Sequence, residues 1–186
     1  MKVKFGLKNV YYAKATIAAD GSATYGEPVR WPGAVNLSLD AKGDVNRFRA
    51  DNIDYYVSQS NNGYEGDFES ALVPDSFRKD ILGEFEDTNG LQVEEVDADM
   101  HPFALLFQFE DDVANTRHVM YNCTASRPAV ASQTTDTTIE PVTESLTITA
   151  SSIYVPTLDK DVVKAKVGPD QTTPYAAWFT AVQLPA

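Results

Sequence analysis

Apolar and polar residues alternate with a period of two along most of the chain, the pattern of strands with one buried and one wet face. In Val35-Asn36-Leu37-Ser38-Leu39 the apolar residues take alternate positions. Ile53, Tyr55 and Val57 share one face, with Asp54 and Ser58 opposite. After Asn61-Asn62-Gly63, the residues Tyr64, Gly66, Phe68, Ser70 and Leu72 fall on one side and Glu65, Asp67 and Glu69 on the other. Asn-Gly between two alternating runs signals a hairpin, so residues 53–72 are expected to form one. Phe103-Ala104-Leu105-Leu106-Phe107 is apolar on both faces, as a covered central strand is. It meets a polar turn at Glu110-Asp111-Asp112 and returns through Arg117 to Thr124, with Val119, Tyr121 and Cys123 expected on one face. Leu146, Ile148 and Ala150 alternate with Ser145, Thr147 and Thr149, and Tyr175 to Val182 is rich enough in β-formers to predict a closing strand.

One helix is predicted. Pro74-Asp75-Ser76 offers a cap, Phe77 and Ile81 lie on one face, and Gly83 supplies the stop. So short a helix is not stable alone in water and must pack across a sheet. The strand patterning starts at Met1-Lys2-Val3-Lys4-Phe5, and breaks fall at Asp20-Gly21-Ser22, Trp31-Pro32-Gly33, Asp87 to Gly90 and Ala131 to Thr138. Residues 40–52 read as a projecting loop or long hairpin, with a turn composition at 40–44 and then Arg47-Phe48-Arg49, two bases around an aromatic. The expected fold is mainly β, a sandwich or barrel with one short flanking α-helix and this projection. Residues 1–186 are expected to form a single domain, with 151–186 as C-terminal strands or an extension.

Composition narrows the class. A chain of 186 residues with 43% apolar content can bury roughly 70% of its unfolded surface. No run of about 18 apolar residues exists to span a membrane as a helix. The N-terminal residues lack the apolar block of a secretory signal, which places the chain in the cytosol of the cell that makes it unless assembly carries it out. A single cysteine, Cys123, forms no internal disulfide. The net charge of −12 opposes a grip on nucleic acid, which needs Lys and Arg against phosphates. It suits a self-repelling monomer, or a surface past which another polyanion must move.

Candidate chemistry is sparse. His101, His118 and Cys123 are the whole inventory for nucleophilic work. His118 is expected to share a strand face with Met120, Asn122 and Thr124, opposite Cys123, so the two would not meet. The carboxylates at 84–87, 94–99 and 110–112 are numerous enough to fall in pairs by chance, and none follows a calcium-loop spacing. No catalytic, metal or cofactor residues are assigned. The stripe Glu65, Asp67, Glu69, with Asp54 expected on the partner strand, reads either as an ordinary solvated face or as the lining of a channel that lets DNA slide without sticking.

Several segments resemble the major tail protein (tail tube protein) family of long, non-contractile-tailed bacteriophages of Gram-positive hosts. They are Lys2 to Ala13, Tyr25-Gly26-Glu27-Pro28, Pro32 to Leu39, Ala50-Asp51-Asn52-Ile53-Asp54-Tyr55-Tyr56, Asn61 to Gly66, Phe103 to Phe107, and Arg117 to Cys123 with Arg127-Pro128. They run in consistent order over roughly residues 1 to 150, whereas 151–186 match loosely. The resemblance implies a structural virion protein with no enzymatic role or cofactor. In it, six subunits would join inner sheets into a ring, and rings would stack into a tube around a tape-measure protein. Tail-tip and tail-terminator proteins would close its ends, and DNA would pass through the lumen without specific binding. Carried over by position, Arg47, Phe48 and Arg49 would reach acidic surface in an adjacent ring, and Glu65, Asp67 and Glu69 would face the lumen. Three rivals remain: a tail-terminator or ring-joining protein, a β-sandwich module binding a ligand through Tyr55, Tyr56 and Trp31, and a carboxylate-pair hydrolase.

Overall fold

The computed structural model describes residues 6–110, 114–132 and 142–186, with only the backbone described at Phe48 and Ala50. The expected strand start at Met1–Phe5, the turn residues Asp111 and Asp112, and most of the break at 131–138 lie outside the described residues. The strands in chain order are β1 (Leu7–Ile17), β2 (Ala23–Tyr25), β3 (Val29–Arg30), β4 (Ala34–Ala41), β5 (Val45–Ala50), β6 (Ile53–Gln59) and β7 (Tyr64–Ser70). Helix α1 (Asp75–Asp80) follows, then β8 (Phe85–Glu86), β9 (Gln92–Val93), β10 (Phe103–Phe109), β11 (Arg117–Ala125) and β12 (Glu144–Ser151). The chain ends with β13 (Ile153–Val155), β14 (Lys160–Val162), β15 (Lys164–Val167) and helix α2 (Thr172–Ala177).

The main sheet is antiparallel, in the order β2-β1-β10-β11-β12-β7-β4, with β3 also paired to β1 and β15 to β11. Its central strand β10 is covered on both faces, as its unbroken apolar run requires. Phe103, Leu105 and Phe107 enter one core, while Ala104 and Leu106 enter a second. The first core lies inside the curl of the sheet. There Tyr12, Trp31, Phe68, Phe77 and Phe103 form a chain of ring contacts, mostly edge to face. Trp31 closes the curl. Its backbone N–H donates to Val10 O on β1, and its indole N–H donates to Ser70 Oγ on β7 at 2.9 Å.

Helix α1 forms where expected, with Phe77 and Ile81 buried and Gly83 at φ +78° ending it. The expected side-chain cap is absent: Pro74 holds the N-cap position and no side chain bonds the first amides. The helix instead rests on packing, with Phe77 5.2 Å from Phe103 between ring centres, and on Tyr12 Oη donating to Asp80 at 2.9 Å.

Three local expectations are overturned. The first is the hairpin over 53–72. β6 pairs with β5, and β7 pairs with β4 and β12. β4–β5 and β6–β7 are the arms of one long hairpin that leaves the sheet at Lys42 and Gly63. The arms stay bonded there, Lys42 N–H donating to Gly63 O and Asn62 N–H to Lys42 O. The reversal sits at Asp51-Asn52, both with positive φ (52° and 63°), the conformation of a two-residue primed turn. Asn61-Asn62-Gly63 makes the bend at the root instead. Gly63 has φ +91°, and a Cβ there would stand 2.0 Å from Ala150 O, so glycine is required for close approach. The projection expected at 40–52 is therefore half of an extended hairpin.

The second is the face assignment on β11. The pairing slips between Phe103↔Cys123 and Leu105↔Met120, leaving an extra residue on β11. This bulge resets the alternation: Val119 and Tyr121 enter the second core, but Met120 and Cys123 enter the first. The third is the closing strand at 175–182, which is α2 and the turn after it. Tyr175, Trp178, Phe179 and Val182 all pack on the second core. Their spacing of i, i+3, i+4, i+7 is the helical one, and Pro174 fits because a first helical turn needs no N–H from it.

Candidate assembly surfaces

The β5–β6 hairpin is a two-stranded ribbon with neither face covered. Ile53, Tyr55, Tyr56 and Val57 are 61%, 71%, 62% and 53% exposed. The face expected to be buried through Ile53, Tyr55 and Val57 is thus open in the single subunit. Large apolar side chains gathered on one exposed ribbon mark a surface that meets a partner. Arg47 and Arg49 lie on this ribbon and both pair with Asp54 across it, at 3.5 and 3.2 Å. Asp54 therefore belongs to the hairpin and not, as expected, to the strand beside the acidic stripe. Pairs this exposed contribute little, up to about 1 kcal/mol.

The acidic stripe has the expected orientation. Phe68 and Ser70 on β7 are buried, and Glu65, Asp67 and Glu69 alternate to the other face. They are flanked in register by Asp40, Ser38 and Asn36 on β4 and by Thr149, Thr147 and Ser145 on β12. The result is a three-stranded patch of carboxylates, hydroxyls and an amide without a large apolar group. Glu65 accepts from Lys42 at 2.8 Å, which holds that ammonium above its ordinary pKa, while Asp67 and Glu69 accept from the hydroxyls of Thr147 and Thr143. Beside the patch, β4 pairs with β7 and with no other strand among the described residues.

The strands also give the subunit two unlike ends. At one, α1 plugs the first core among Tyr12, Trp31 and Phe103. The segment from Gly83 to Met100 lies at this end, since Ile81 O receives the His101 amide just before β10. At the other end the long hairpin leaves. There an open cleft of about 240 Å³ is lined by Leu37, Leu39, Tyr64, Phe107, Phe109 and Lys164, among others.

Packing disarms Cys123 among the candidate nucleophiles. The β11 bulge defeats the expected separation of faces, because His118 stacks on Phe107 at 5.3 Å and so faces the same core as Cys123. Cys123 is fully buried, however, and burial pushes its thiol up to about 12, far from the thiolate a nucleophile needs. Trp31, expected as an exposed aromatic for ligand binding, is a core residue. Among the described residues, no group of three or more His, Cys, Asp or Glu side chains is placed to hold a metal ion.

A β-rich subunit with an exposed apolar ribbon at one end, a sheet edge without a paired strand among the described residues and a broad polar face fits the class of self-assembling structural proteins. The family model described as phage tail tube protein matches residues 1–185. The chain belongs to that family and is a structural subunit of the tail tube in a phage virion. A search of curated proteins returned no match. No described helix is long and apolar enough to cross a membrane.

Proposed function

We propose that residues 1–186 act as one domain and that six copies form a ring by joining sheets beside β4. Rings then stack into the tube, with the β5–β6 hairpin of each subunit reaching the adjacent ring. The tube encloses a tape-measure protein during assembly and is bounded by tail-tip and tail-terminator proteins. DNA later passes down the lumen, and the role involves no catalysis. The observation that carries this reading is the uncovered hairpin. Among the described residues its apolar side chains stand largely exposed, and a second copy is the partner a self-assembling chain always has.

The polar face of β4, β7 and β12 is assigned to the lumen. Glu65, Asp67 and Glu69 repel a polyanion, and the intervening hydroxyls give it no apolar surface to adhere to. The ring number of six and the auxiliary proteins come from the family resemblance alone.

Negative-stain electron microscopy of purified protein over a range of concentrations tests the proposal, with light scattering for size. Hollow tubes of stacked six-fold rings are expected. Rings that never stack would point instead to a terminator or ring-joining role. A chain that stays monomeric even with its cognate tip and tape-measure protein would sink the reading.

A further inference from the structure

We propose that the seat for the hairpin is the segment 84–100 of a second copy in the adjacent ring. The inference rests on the stacking reading above and names the surface that reading leaves open.

Three observations select this segment. The first is polarity. The hairpin leaves the end of the subunit opposite α1, and segment 84–100 lies at the α1 end. A contact joining one end of a copy to the other end of the next is heterologous, and when it does not close on itself it extends into a filament. From Lys42 to Asp51 the first arm runs about nine residues, so the hairpin extends about 30 Å beyond its root at about 3.3 Å per residue. It therefore has the length to reach a neighbour along the axis.

The second is apolar surface without a partner. Segment 84–100 exposes Phe85, Leu91, Val96 and Met100, with Val96 88% exposed. These are the natural counterpart of Ile53, Tyr55, Tyr56 and Val57, since both sets lose contact with water in one event. Tyrosine is also among the residues that carry most of the energy in protein interfaces.

The third is charge. The segment carries seven acids and no base. Glu84, Glu86 and Glu94 are engaged by Arg78, Lys79 and Arg127, and Asp87 caps its own turn through the Asn89 and Leu91 amides. Glu95, Asp97 and Asp99 flank Val96 and make no ion pair among the described residues. Among the described residues Arg47 and Arg49 form ion pairs with Asp54 alone, both solvent-exposed, and so weak a hold leaves the guanidiniums available to further carboxylates. The cleft lined by Leu39, Tyr64 and Phe109 is excluded as the seat. It opens at the hairpin's own end and so cannot receive a hairpin arriving from the other direction.

Cross-linking provides the test, because the native Cys123 is buried and unreactive. A variant carrying both Tyr55→Cys and Val96→Cys is assembled into tubes and mildly oxidised. The expected result is a ladder of covalent oligomers on a non-reducing gel, with each single variant giving none. Tubes that yield no ladder from the double variant, or the same ladder from a single one, overturn the assignment. A charge exchange adds a second readout. Arg47→Glu with Arg49→Glu should raise the concentration needed for tubes at least tenfold, and adding Glu95→Lys with Asp97→Lys should restore it. No restoration also overturns the seat, whereas a wild-type chain that never forms tubes under any condition refutes the stacking reading first.

Discussion

Replacing Trp31 separates a structural pin from a binding platform. The indole is 2% exposed, touches Phe77 and Phe68 with ring centres 4.3 and 4.9 Å away, and donates to Ser70 Oγ. Truncating a buried aromatic to alanine costs about 3–5 kcal/mol in transfer and cavity terms. Ser70 adds little to this. Its hydroxyl still bonds Leu72 O at 2.8 Å and Gly33 O at 3.2 Å, so no buried polar group is stranded. Trp31→Phe keeps most of the ring volume and loses the hydrogen bond, for about 2 kcal/mol in all. Trp31→Ala should therefore lose about 4 kcal/mol, which for a domain of this size lowers Tm by about 8–16 °C. Urea denaturation followed by circular dichroism at concentrations below assembly measures both variants. A loss under about 1 kcal/mol for Trp31→Ala would contradict the closure of the sheet through this residue and reopen the ligand-platform reading.

Reversing the stripe with Glu65→Lys, Asp67→Lys and Glu69→Lys should leave the fold intact, since these side chains point away from both cores. Tubes of this variant should retain DNA in a salt-dependent manner, and tubes that ignore DNA at low salt would remove the stripe from the lumen. Stability should fall in alkali. Burial raises Cys123 from 9.0 and Tyr12 from 10.0, each to about 12, and raises Tyr25 and Tyr121 as well. All four are neutral when folded, so their contribution is whole below the unfolded values and is lost as pH rises from about 9 towards 12. Melting curves from pH 7 to 11.5 should show Tm dropping beyond pH 9, with Cys123→Ala delaying the onset, whereas a flat profile would contradict the burial of these groups. Gly66→Ala should be severely destabilising, because a Cβ at that site would stand 1.8 Å from Ser38 O, whereas Gly168→Ala, with nothing within 4 Å, should be near neutral. Equal urea midpoints for the two would argue against the β4–β7 approach.

What could be read from the sequence was whatever depends on one residue and its near neighbours. The apolar run of β10 announced burial on both faces, and the alternation in β7 placed Phe68 inside and Glu65, Asp67 and Glu69 outside. All of the errors but the one at α2 have a common physical origin, in that each depended on a contact far away in the chain. Asn62-Gly63 has the chemistry of a tight turn, but its glycine is needed against Ala150, and the actual reversal used Asp51-Asn52, which carries a weaker signal. The β11 bulge moved Cys123 to the other face, and nothing within Arg117–Ala125 marks the extra residue. The α2 region could have been found. Tyr175, Trp178, Phe179 and Val182 carry a helical period, but their strand propensity was weighed above their spacing. On the projecting hairpin, sequence placed Arg47 and Arg49 but not Asp54, which pairs with both, since the pairing of β5 with β6 was misassigned.

In the proposed assembly the hairpin and the net charge act against each other. An uncovered ribbon bearing Ile53, Tyr55, Tyr56 and Val57, together with the edge of β4 that no described strand pairs, would on its own favour indiscriminate pairing. A charge of −12 per subunit opposes every approach of two copies. The approach least opposed is one that sets the two hairpin arginines against carboxylates. Specificity then comes from the repulsion of all other arrangements as much as from the attraction of the correct one. In the proposed assembly the apolar ribbon supplies the driving force and the acidic surface selects the geometry.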